Sequence, residues 1–117
     1  LIVLSSLFLL ESFLAALYLS QLISDLPGYD ALVIAVVLAR GVVGALQFTA
    51  AWLLRARRAT GVVAARWAIV SAALWVLLAV GFNLAPTSVY PWWRWQVTAA
   101  YGCYAGAILL ALRRLGD

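Results

Sequence analysis

Three strongly polar side chains, Glu11, Arg40 and Gln47, stand inside long apolar runs of a 117-residue chain. Ionisable groups are costly to hold in hydrocarbon, so they mark either a transport path or a required polar contact. A membrane glutamate could bind a cation, or exchange a proton for one. Arg40 complicates that chemistry. It lies in "VVLARGVVGALQ", seven residues before Gln47 and therefore on the same helical face. Three readings stay open. Glu11 and Arg40 form an ion pair within the chain, with Gln47 as an extra hydrogen-bond partner. Alternatively, one of them pairs with another subunit, since polar groups also join separate chains in lipid. In the third reading, the polar layer lines a substrate or proton path. A permanently charged arginine facing the carboxylate weakens this last reading.

Other chemistry is excluded by composition. The chain has no histidine, no methionine and no lysine, and Cys103 is its single cysteine. The usual axial ligands of haem are missing, as are His-bearing zinc and copper sites. One cysteine makes neither an intramolecular disulfide nor a Cys-X-X-Cys pair, and Cys103 reads as a small packing residue. Schiff-base chemistry needs a lysine, and the serines have no histidine to activate them. No catalytic residue, metal site or cofactor is expected, and the chain reads as not an enzyme.

The elements that carry these residues follow from hydropathy. The composition is 68% hydrophobic and only 10% charged, against roughly a quarter charged in ordinary globular chains. Four apolar spans are predicted, at about 2–24, 31–54, 63–84 and 96–112, each about long enough to cross the bilayer. "DLPGYD", "RARRATG" and "APTSVYPWWRW" interrupt them with Pro, Gly and charged residues. Short connections force neighbouring spans to be antiparallel. The expected fold is an all-α membrane protein, one domain over 1–117, with four transmembrane helices in an up-down bundle. Measured from the loop after the first span, Arg40 lies ~15 Å deep, Glu11 ~20 Å and Gln47 ~25 Å. The first two spans are joined by a tight turn, so these three side chains fall within reach of one another.

The eight arginines, set against four acids, serve topology. Arg55, Arg57 and Arg58 fill the turn between spans two and three, with Arg66 a little further on, and Arg113 and Arg114 end span four. The opposite side holds only Arg94, with Asp25 and Asp30. Positive charge concentrates on cytoplasmic loops, so both termini are expected to be cytoplasmic. No basic patch remains for nucleic acid. With no methionine in it, the chain is expected to lack its native start, some N-terminal sequence having been removed. The alanine-rich, lysine-free composition suggests a bacterial inner (cytoplasmic) membrane.

Three further groups are candidates for contacts. Thr98, Gly102 and Gly106 make a small-xxx-small row for close helix packing or for a partner chain. Ser12, Ala16 and Ser20 on span one, and Gly41 and Ala45 on span two, form similar rows. Tyr90, Trp92, Trp93, Arg94 and Trp95 read as an interfacial aromatic belt, with Arg94 reaching a lipid phosphate, or as a docking knob. Trp52 and Trp67 read as anchors at the other interface, and Trp75 as a core or lipid-facing ring. Arg55, Arg57 and Arg58 are candidate contacts for anionic lipid. The expected partners are membrane lipids and other integral membrane subunits. The expected function is a small non-catalytic accessory or structural subunit of a membrane complex, its helices 1 and 2 fixed by a Glu–Arg pair. The alternative is a homo-oligomeric ion or drug transporter or channel that uses Glu11.

Overall fold

A backbone crossing hydrocarbon must satisfy its own N–H and C=O groups, and apolar runs of this length do so as helices. The computed structural model describes residues 2–28, 30–56, 58–84 and 91–116. Helix α1 covers Ile2–Leu22, α2 Ala31–Arg55, α3 Thr60–Val76 and α4 Arg94–Gly116. A 3-10 turn over Ile23–Gly28, containing Pro27, follows α1. Helix α3 continues through a π-helical turn, Leu77–Gly81, and a second 3-10 turn, Pro91–Trp93, leads into α4. All four helices are long and apolar enough to span a membrane. The protein is thus an all-helical integral membrane protein, consistent with a four-helix bundle. Its longest dimension, 45 Å, matches a hydrocarbon core plus both headgroup zones, ~40–45 Å.

Helix ends differ from the sequence expectation by a few residues. The third span begins at Thr60, before the expected Val63, and the fourth covers Arg94–Gly116 and not 96–112. The expectation followed apolarity, whereas a helix keeps its hydrogen bonds through polar residues in the headgroup zone.

The main core joins opposite ends of neighbouring helices. Leu4 and Phe8 from the start of α1 meet Ala50, Ala51 and Leu54 from the end of α2. Ala65, Ala68 and Ile69 come from the start of α3, and Ala105, Ile108 and Leu112 from the end of α4. Such a cluster requires alternating helix directions. A second cluster toward the other membrane face is built by three helices, around Val36, Val37 and Ala79, with Tyr18 and Trp75 packed against it.

Alanine is the commonest residue of this core, because lipid tails are as apolar as leucine and association depends on close backbone approach as well as on apolar burial. Many other large side chains lie outside: Leu10, Phe13, Leu14, Leu38, Val42, Phe48 and Leu74 are all exposed. Gly61, at the first turn of α3, lies closest to the backbone of a neighbouring helix. A Cβ there would lie 3.0–3.1 Å from backbone atoms of Leu53 and Leu54, which cannot move aside alone. Gly102 on α4 is the opposite case, with nothing within 4 Å of a built Cβ.

Gly61→Ala should therefore destabilise the fold by about 1–3 kcal/mol through overpacking. Gly102→Ala should leave stability unchanged or raise it by up to about 1 kcal/mol through helix propensity. Unfolding midpoints in mixed detergent micelles measure both changes. Equal loss in the two variants would contradict this packing.

Candidate functional site

Helix α2 sets the axis of the polar layer. Arg40 and Gln47 stand ~10 Å apart along one face, separated by Gly44, and the two long arms meet between them. The Arg40 guanidinium donates from Nη1 to Gln47 Oε1 at 3.1 Å. Gln47 then donates from Nε2 to Glu11 Oε2 on α1, at 2.7 Å. The second carboxylate oxygen, Oε1, accepts a hydrogen bond from the Tyr101 hydroxyl on α4 at 2.6 Å. A single hydrogen-bonded chain thus runs Arg40, Gln47, Glu11, Tyr101. The amide orientation of Gln47 follows from its two neighbours, because a reversed amide would set N–H against guanidinium and carbonyl against carboxylate.

Helix α3 enters through Trp75. The Arg40 guanidinium carbon lies 5.4 Å from the centroid of its ring, within the range of a cation–π contact. Trp75 Nε1 donates to the Val36 carbonyl on α2 at 2.7 Å, and Tyr18 of α1 packs edge-on against the ring, centroids 5.6 Å apart. The indole is thus held by α1 and α2 where the arginine rests on it. All four helices contribute to the layer.

Glu11, Arg40 and Gln47 come together as the sequence suggested, but the expected direct ion pair is not the arrangement adopted. Arg40 reaches the Glu11 backbone carbonyl through Nη2, at 3.4 Å, while the carboxylate is bonded by Gln47 and Tyr101. The physical reason is supply and demand of donors. A carboxylate in hydrocarbon needs a donor on each oxygen, and two neutral donors from two other helices already occupy those places. Gln47 is fully buried while Glu11 and Arg40 are half-buried, so the amide sits as a polarised link between opposite charges.

Small residues make this approach possible. A Cβ on Gly44 would come within 3.0 Å of Ala15 Cβ on α1. On the outward side of the same contact, the Ser12 and Ala16 row faces the Gly41 and Ala45 row. These residues, with Phe13 and Phe48, line an open groove of about 560 Å³.

The other candidates separate in space. Thr98 faces inward: its hydroxyl donates to the Arg94 carbonyl at 2.7 Å, and it lies against Gly81, where a Cβ would come within 3.2 Å of the hydroxyl oxygen. A Cβ built on Gly102 or on Gly106 meets nothing within 4 Å among the described residues; Gly102 is exposed and Gly106 half-buried. Trp92, Trp93 and Trp95 are exposed, with Trp95 edge-on to Phe82 at 5.6 Å. Arg94 is half-buried, and its Nε has no hydrogen-bond partner among the described residues. Arg55 and Arg58 are exposed, and Arg55 Nε donates to Ser5 Oγ at 3.4 Å. Tyr90 and Arg57 lie outside the described residues.

Tyr101 and the role of Trp75 were missed from sequence. A tyrosine seven residues, ~10 Å, inside a span has left the headgroup zone, and its hydroxyl then needs a partner. That depth was the available signal.

Fold and site together define a small polytopic helical membrane protein with a polar layer bonded across its four spans. No known protein family, curated protein or solved structure matches the chain.

Gln47→Leu strips a partner from Glu11 and from Arg40 at once, and should cost about 2–3 kcal/mol, as expected when a buried charged group loses its partner. Tyr101→Phe removes one hydrogen bond and should cost about 0.6–1.7 kcal/mol, the range of interhelical polar contacts in lipid. Unfolding midpoints of the two variants in micelles give the comparison, and a smaller loss in Gln47→Leu would rule out the bridge.

Proposed function

We propose that the chain is a small non-catalytic accessory or structural subunit of a larger membrane assembly. The observation that carries this reading is a division between helix faces. Intramembrane polar groups are engaged inside the chain: Glu11 by Gln47 and Tyr101, and Arg40 by Gln47 and Trp75. The surface of α4 is left open, with Ala99, Gly102, Cys103 and Ala107 exposed and no described atom within 4 Å of a Cβ built on Gly102 or Gly106. α4 is also the least apolar and least buried of the four spans. A helix with those properties suits a protein neighbour, because small residues let a second backbone approach closely.

By this reading the Glu11–Gln47–Arg40 linkage fixes helices 1 and 2 and, through Tyr101, holds α4 in place to present its glycine face. Charge placement supports an orientation. Arg55, Arg58, Arg113 and Arg114 cluster at the end shared by both termini, which favours the cytoplasmic side for that end; the membrane of this reading is a bacterial inner membrane. Membrane lipids and other integral membrane subunits are the proposed partners. Transport centred on Glu11 is disfavoured because both carboxylate oxygens already accept hydrogen bonds from the chain's own side chains.

Purification in mild detergent should retain other membrane chains in fixed stoichiometry. Gly102→Leu with Gly106→Leu should release them without lowering the stability of the isolated protein. A clean monomer or homo-oligomer under those conditions would count against the subunit reading. Ion or drug flux in liposomes that disappears in Glu11→Gln would replace it with the transporter.

A further inference from the structure

At the end of the molecule where α2 stops and α3 starts, the arginines differ in what they touch. Arg55 is bonded to Ser5. Arg66 is exposed and has no hydrogen bond or ion pair among the described residues. It stands six residues beyond Thr60, the first residue of α3, hence ~9 Å along the helix and inside the apolar run. An isolated guanidinium at that depth is unfavourable unless its arm turns back to the headgroups. The helix direction helps, because side chains lean toward the helix N-terminus, and for α3 that is the arginine-rich end.

The surroundings of Arg66 are apolar. Val63, Arg66, Trp67 and Val70 line a groove of about 340 Å³ on the outer surface of α3. Val63, Trp67 and Val70 are 53%, 66% and 41% exposed, so nothing among the described residues covers the groove. One end offers a free cation and the rest offers aliphatic and indole surface. That combination fits a molecule with an anionic head and a hydrocarbon tail. Charge argues for a net negative head: Arg55, Arg58, Arg66, Arg113 and Arg114 gather at this end, and among the described residues it has no acid. We propose that the Arg66–Trp67 groove is a binding site for an anionic phospholipid, the phosphate held by Arg66 and an acyl chain lying along Val63, Trp67 and Val70. This adds a site on α3 to the turn arginines.

The test compares the association of spin-labelled phosphatidylglycerol and spin-labelled phosphatidylcholine with the full chain in phosphatidylcholine vesicles. The wild type should prefer phosphatidylglycerol. Arg66→Gln should lower that preference about fivefold, the factor equivalent to ~1 kcal/mol for one arginine near an anionic surface. Arg66→Lys should keep most of it. Equal association of the two lipids with the wild type, or an unchanged ratio in Arg66→Gln, overturns the proposal. If Arg66→Gln is not monodisperse, tryptophan quenching decides. Brominated phosphatidylglycerol should quench the wild type more than brominated phosphatidylcholine does, and Trp67→Phe should remove the excess. An undiminished excess in Trp67→Phe places the lipid elsewhere and overturns the site.

Discussion

A guanidinium and a carboxylate inside hydrocarbon must be satisfied by the protein, since no water is at hand to do it. That constraint organises this molecule. Arg40 sits on α2 and Glu11 on α1, and their charges are joined through the amide of Gln47 and completed by the Tyr101 hydroxyl and the Trp75 ring. Removing any one of the four hydrogen-bonding side chains leaves another with an unmet donor or acceptor, and removing Trp75 takes away the ring beneath Arg40. The layer therefore specifies which faces of the four helices must meet, a task that lipid-like leucine surfaces perform poorly.

Close packing follows from the same requirement. Hydrogen bonds of 2.6–2.7 Å between side chains of different helices need backbones that approach closely, and Gly44 against Ala15 provides this between α1 and α2. Beyond the layer, toward the chain termini, an alanine-rich core closes all four helices. On the other side the packed cluster draws on α1, α2 and α3, and α4 is held there by Thr98 and Trp95 against Gly81. The π turn at Leu77–Gly81 brings that glycine to the contact. Polar layer and small-residue contacts are thus interdependent: each sets the spacing the other needs.

Much of this was legible in the sequence. Hydropathy and turn residues located four spans within a few residues, and helical rise placed Glu11, Arg40 and Gln47 within reach of one another. What could not be read was the order of connection. Depth is a one-dimensional coordinate, whereas the choice between a direct ion pair and an amide bridge depends on how far α1 is rotated about its own axis. The same gap hid Tyr101, because the lateral position of α4 relative to α1 is not encoded in loop length. It also left Gly102 and Gly106 ambiguous: a small-residue row looks the same whether it packs inward or stands open.

The two halves of that row show how one helix serves two surfaces. Thr98 and Gly102 are four residues apart, a rotation of ~40°, and that offset carries the row from the Gly81 contact to open surface. Tyr101 meanwhile fixes the rotation of α4 through its bond to Glu11. Turning α4 to bury Gly102 and Gly106 against the bundle would withdraw the Tyr101 hydroxyl from the carboxylate. The polar layer and the exposure of Gly102 are therefore coupled: with α4 held by its tyrosine, Gly102 stands at the open surface and Gly106 at its margin.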